Sequence, residues 1–225
     1  MSVKKTLRAS PIFYRQYSDS MDDAGTANIT ATVTLGSTPV AKTLLYVGSL
    51  EERKYSIPNV SNPAMTGYAW ETTTLKYEVH NDYPVIALSL GKETGAAKGT
   101  AFTIFHYGKW SSDCIWEFPY LKGEIVTSST TWAANPTSGS VTALEPVTER
   151  GLMAVALVVG GTGAGFALTI GTGTPNDSQW DHGSIGWGNA FLAFLIDPPI
   201  GSTPSFSYTC SGTLKYITAA MLLLR

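Results

Sequence analysis

Apolar runs of strand length, each cut by Gly, Pro, Ser or Thr, dominate the last third of the chain: GLMAVALVVGG from Gly151, GFALTIG from Gly165, NAFLAFLIDPP from Asn189, SFSYTCSG from Ser205 and YITAAMLLL from Tyr216. Runs of that length closed by turn residues predict strands rather than helices. Nearer the start, Ile29, Ala31, Val33 and Leu35 alternate with Thr30, Thr32 and Thr34, the period-two pattern of a half-buried strand, and Gly36-Ser37 closes it. Thr43 to Ser49 predicts a more fully buried strand, and Ile57 to Pro63 a proline-punctuated loop. Further strands are predicted over Gly67–Val79, Pro84–Leu90, Thr100–Tyr107, Cys114–Phe118 and Glu124–Thr131, with a short one over Ser140–Leu144. Only Leu44 to Lys54 hints at a helical turn.

Many short strands, few helices and hydroxyl-rich connections predict an all-β fold, an antiparallel two-sheet jelly-roll-like β-sandwich. Residues 26–225 are expected to form it as a single domain, which a chain of this length commonly does. The two halves share the habit of an apolar strand followed by Gly-rich turns, but no repeat of fixed period stands out. Residues 1–25 read differently: KKTLRASPIFYRQYSDSMDDAG has both charge signs and aromatics but no sustained period. They are expected to form an extended N-terminal arm that docks Phe13, Tyr14 and Tyr17 onto a neighbour.

Charged residues make up 14% of the chain, below the roughly 25% of ordinary soluble domains, so its surface is expected to be neutral and rich in hydroxyls. Such a surface offers little charge repulsion against self-association, and a homo-oligomer is expected. A net charge of -2 without a basic block argues against nucleic acid, which needs clustered Lys and Arg. No apolar run approaches the roughly 20 residues of a membrane-spanning helix, and the opening residues lack the apolar core of a signal peptide. Cys114 and Cys210 are expected to stay as reduced thiols.

No motif carries catalysis. Gly160-Gly-Thr-Gly-Ala-Gly165 lacks the third fingerprint glycine, because Phe166 stands there, and a strand rather than a helix follows; it reads as a hairpin turn. Trp180-Asp-His-Gly-Ser184 puts an acid, an imidazole and a hydroxyl in one short loop, where they cannot easily aim at one another as a triad does. His80, His106 and His182 have no metal-ligand spacing. The expectation is therefore no enzyme, no metal and no cofactor. Aromatics are the stronger surface signal. Trp110, Trp116, Tyr120 and Trp132 crowd one region, and Trp180 and Trp187 lie in the long segment Thr174–Gly188, read as a loop built for contact with a subunit or ligand.

Leu152–Gly161, the Asn189–Pro204 segment with its Pro and Gly turn into a Ser/Thr-rich strand, the closing Ile217–Leu224 and the early Thr43–Ser49 strand together resemble β-sandwich structural proteins of tailed-bacteriophage particles. The resemblance implies a non-enzymatic virion component, a capsid decoration, head fibre or tail and baseplate accessory, made in the host bacterial cytoplasm and bound to other virion proteins. The alternative is a carbohydrate-binding module of a phage fibre or host-attachment protein, whose partner would be a host surface glycan.

Overall fold

The computed structural model describes residues 12–20, 28–51, 63–71, 85–107, 110–118, 121–161, 167–170, 178–184, 188–212 and 216–225. They form fifteen strands: β1 (Ile12–Ser20), β2 (Asn28–Thr34), β3 (Thr43–Glu51), β4 (Tyr68–Glu71), β5 (Val85–Glu93), β6 (Ala101–Tyr107), β7 (Trp110–Phe118), β8 (Ile125–Ala134), β9 (Ser138–Thr142), β10 (Met153–Gly161), β11 (Ala167–Ile170), β12 (Ser178–Ser184), β13 (Gly188–Ile196), β14 (Ser205–Ser211) and β15 (Tyr216–Leu224). Every pairing is antiparallel, so the fold is all-β. No helix among the described residues is long and apolar enough to cross a membrane.

The strands fall into four sheets. Sheet I has the order β1-β7-β3-β5-β4 and sheet II the order β12-β13-β10-β15-β8; β2-β6 and β11-β14-β9 make two smaller sheets. Alternation along the strands explains how they stack. On β3, Leu45 and Val47 join the central core while Leu44 and Tyr46 join an outer one; on β10, Val155 and Leu157 face the centre while Ala154 and Ala156 join the other outer core. Both large sheets are therefore apolar on both faces. That is why β10 and β15 read as continuous apolar runs rather than as alternating strands. The central core lies between sheets I and II, where Phe194 of β13 meets the rings of Trp116 and Phe118 of β7 edge-on at 5.0 and 5.7 Å. One outer core packs β6, through Phe102 and Ile104, on sheet I; the other packs β9 and β14, through Val141, Phe206 and Tyr208, on sheet II.

The two large sheets have the same plan. Replacing β8, β15, β10, β13 and β12 by β1, β7, β3, β5 and β4 converts the order of sheet II into that of sheet I, and β9-β14 corresponds to β2-β6. Hydrogen bonds outside the ladders repeat as well: Glu93 N–H donates to the Lys42 carbonyl as Asp197 N–H does to Leu152, and Leu35 N–H to Thr100 as Ala143 N–H does to Pro204. In each half the first strand pairs with the last, the second with the last but one, and β3 with β5 or β10 with β13. The halves also stack reciprocally, β7 on β13 and β5 on β15, as an approximate two-fold axis requires. The chain is a duplicated body.

Several sequence expectations change. The hinted helical turn is absent over Leu44–Glu51, which belongs to β3: Leu45 and Val47 are needed on one face and Leu44 and Tyr46 on the other, a period of two. Within the segment read as a contact loop, Ser178–Ser184 is the edge strand β12, paired with β13. Within the segment read as an arm, Ile12–Ser20 is the edge strand β1, paired with β7. β7 begins four residues earlier than expected, at Trp110. The turn expected at Gly160–Gly165 falls largely outside the described residues.

Candidate functional site

A cleft of 480 Å³ opens where the edge of sheet I meets the crossing from one half to the other, lined by Ala69, Trp70 and Glu71 of β4, Leu90 and Lys92 of β5, and Gly123, Glu124 and Ile125. Its position follows from the stacking order, which brings β4, at the end of sheet I, beside β8, at the end of sheet II. The short strand β4 is held there by Trp70, whose ladder partner is Gly91. The indole lies so close to Gly91 that an added Cβ would come within 2.9 Å of it. The other half has a similar pair, Tyr208 over Gly139, in which a Cβ would meet the phenol oxygen at 2.4 Å. Sequence inspection overlooked Trp70; the one available signal was a tryptophan in a four-residue strand opposite a glycine. Its indole N–H is buried without a hydrogen-bond partner among the described residues.

This geometry makes Gly91→Ala a specific test of the edge. The new methyl must push the indole away, and overpacking of this kind costs about 1–3 kcal/mol. In a Trp70→Ala background the same substitution should be nearly neutral, so denaturant titrations of the four proteins should give a coupling close to the single-mutant loss.

Behind the cleft, a polar cluster ties the β2–β3 loop to the sheet. Tyr68 donates its hydroxyl to the Ala41 carbonyl at 2.7 Å, Lys98 Nζ donates to the same oxygen at 2.8 Å, and the fully buried Glu117 carboxylate accepts the Ala41 N–H. Lys98 also pairs with Glu93 at 2.8 Å and sits 5.4 Å above the Tyr68 ring. The hydrogen bond from Lys98 holds the Glu93 carboxyl below its ordinary value of 4.5. Desolvation acts to lower Lys98, but its bonds to Glu93 and Tyr68 prevail and raise it above 10.5. Burial raises Tyr68 above 10.0 against the opposing pull of Lys98.

The sign of each shift defines a pH window. The Glu93 contribution is complete above its ordinary 4.5 and is lost as pH falls through the lower folded value. The Lys98 and Tyr68 contributions are complete below 10.5 and 10.0 and are lost as pH rises through the raised folded values. Thermal melts of the wild type and Lys98→Met should therefore differ most between pH 4.5 and 10.0, and by less on the acid side, where the pairing with Glu93 is lost while the bond to the Ala41 carbonyl remains.

The corresponding end of the other half uses different chemistry. Asp197, at a φ of 50°, accepts the Gly151 N–H and an Arg150 N–H, each at 3.0 Å. Arg225 bridges Glu149 and Glu124, the latter at 3.2 Å, and the carbonyl of Arg225 accepts the N–H groups of Lys122 and Glu124. These ties fasten the junction between the halves.

The structure sets Trp116 and Trp132, two of the aromatics singled out in the sequence, on different sheets. Trp116 is buried in the central core, whereas Trp132, on β8, is 37% exposed. Phe13, Tyr14 and Tyr17 lie on β1 and Trp180 on β12; Phe13 is the ladder partner of Trp116, Trp180 that of Leu192, and Tyr14 falls at a register shift. Since β7 packs on β13, the strands beyond them, β1 and β12, share one side of the molecule, so four of the five predicted contact residues lie on neighbouring edges. The fifth, Trp187, lies outside the described residues, as do His80 and Tyr120. Cys210 is buried and donates its Sγ–H to the Pro136 carbonyl. No group of three His, Cys, Asp or Glu residues placed to hold a metal occurs among the described residues. Compared with protein-family models, curated proteins and solved structures, the chain matches none.

Proposed function

We propose that the chain is a non-enzymatic structural component of a bacteriophage particle, a capsid decoration, head fibre or tail and baseplate accessory, acting through contacts with other virion proteins. Each half is read as one jelly roll, because its nested first-with-last pairing is what two Greek keys wound into one body produce. Viral capsid and lectin domains use that architecture, although a fold by itself does not decide a function. The observation that carries the reading is the employment of the ionisable groups. Glu93 with Lys98, Glu117 with Ala41, and Glu124 and Glu149 with Arg225 tie loops to strands instead of converging on one reacting position. Labelling this chain and imaging whole particles tests the proposal: a fixed, repeated position on head or tail supports it, and purified particles without the chain overturn it.

A carbohydrate-binding module is the second reading, favoured by one observation: the half-buried Trp70 lines a cleft that also presents Glu71, Lys92 and Glu124. Hydroxyl-rich ligands suit such a mixture of donors and acceptors. Binding on a glycan array that Trp70→Ala abolishes would establish this reading.

A further inference from the structure

Four strands end the two large sheets, and three of them carry features that discourage pairing with another chain. β1 contains Arg15 and Asp19 and has a register shift between Phe13 and Arg15. β12 contains Asp181 and has a shift between Asp181 and Ser184. β4 is four residues long and ends in the exposed Glu71. β8 lacks such protection over most of its length. It contains neither a charged residue nor a proline, and its single register shift falls at its start, so Thr127–Ala134 runs in unbroken register against β15. Of the strands that end the small sheets, β2, β9 and β11 are also uncharged, but β2 lies against β1, β9 against β8 and β15, and β11 against β13.

Among the described residues the outer edge of β8 has no ladder partner, and we propose that it pairs antiparallel with β8 of a second copy of this chain, joining two copies of sheet II into one continuous sheet across a two-fold axis. In such an isologous contact every residue meets one from the same strand, so a charged edge would set like charges close together. β8 has none to set. Its run of Thr127, Ser128, Ser129, Thr130 and Thr131 instead brings hydroxyls opposite hydroxyls, a favourable cross-strand pairing. Trp132, 37% exposed on the same strand, supplies an aromatic anchor of the kind that dominates interfaces. The contact also closes. The opposite end of sheet II is the charged and shifted β12, so a second copy completes the assembly instead of seeding a fibre. This inference rests on the sheet edge alone and does not depend on the virion reading.

The test uses the purified full chain. Light scattering coupled to size-exclusion chromatography, over a hundredfold dilution series, should show a species of twice 24.0 kDa that dissociates on dilution. Thr130 is exposed, so Thr130→Lys leaves the monomer intact while placing a lysine at the paired edge, a common natural block; it should weaken dimerisation at least tenfold. Backbone hydrogen exchange of the wild type provides a readout without any substitution: amides of Thr127–Ala134 should gain protection as concentration rises. A monomer at every concentration, a dimer unaffected by a folded Thr130→Lys variant, or concentration-dependent protection confined to other strands would each overturn the proposal. Should the variant not fold, the exchange measurement decides alone.

Discussion

Phe194→Ala should destabilise the protein by about 3–5 kcal/mol, the range for removing a buried aromatic ring. The ring is fully buried and is the point where the halves hold each other, with Trp116 at 5.0 Å and Phe118 at 5.7 Å, both edge-on. Three rings in this arrangement add edge-to-face attraction to the loss of apolar burial. Because the three come from opposite sheets, the cavity opens at the joint between halves, where neither sheet can close over it without shifting the other. Urea titration followed by tryptophan fluorescence and circular dichroism measures the loss. A loss below about 1 kcal/mol, as expected of a substitution away from the core, would show that the two sheets do not depend on this contact.

Phe102→Ala and Phe206→Ala should each cost about 3–5 kcal/mol, and by similar amounts. The two residues hold corresponding positions in the halves: Phe102 pairs with Val33 on β2 and Phe206 with Val141 on β9, and each is buried in an outer core. Both large sheets lie between them, so they share no partner and the double variant should show the sum of the single losses. A double variant much less destabilised than that sum would mean that one outer core had already come apart in a single variant. Differential scanning calorimetry would show such uncoupling as two transitions.

Fold class was legible because its signals are local. The alternation of Ile29, Ala31, Val33 and Leu35, and the turns after the later apolar runs, depend only on neighbours in the chain. The duplication was not legible, because equivalent positions preserve a filled volume instead of a residue type. Leu44 and Tyr46 on β3 correspond to Ala154 and Ala156 on β10, and Ser89 on β5 to Ala193 on β13; an outer core can be filled from either of its two layers. Even Leu45 and Val47 are matched by Val155 and Leu157, sizes exchanged. The strand character of Ser178–Ser184 was concealed for another reason: an edge strand with a register shift need not alternate, and glycines on either side of it resemble a loop. Of the site, the tryptophans were visible as residue types, but Trp70 acquires its place only through the long-range pairing of β4 with β5.

Duplication also sets the valence of the molecule. An assembly of two identical halves would present each sheet edge twice, and one adhesive edge would then be two, enough for chains of subunits without end. Fused in one polypeptide, the halves are free to diverge: β8 keeps a bare hydroxyl edge while its counterpart β1 bears Arg15, Asp19 and a register shift. Among the described strands that end the large sheets, one uncharged edge remains where symmetry would have required a pair.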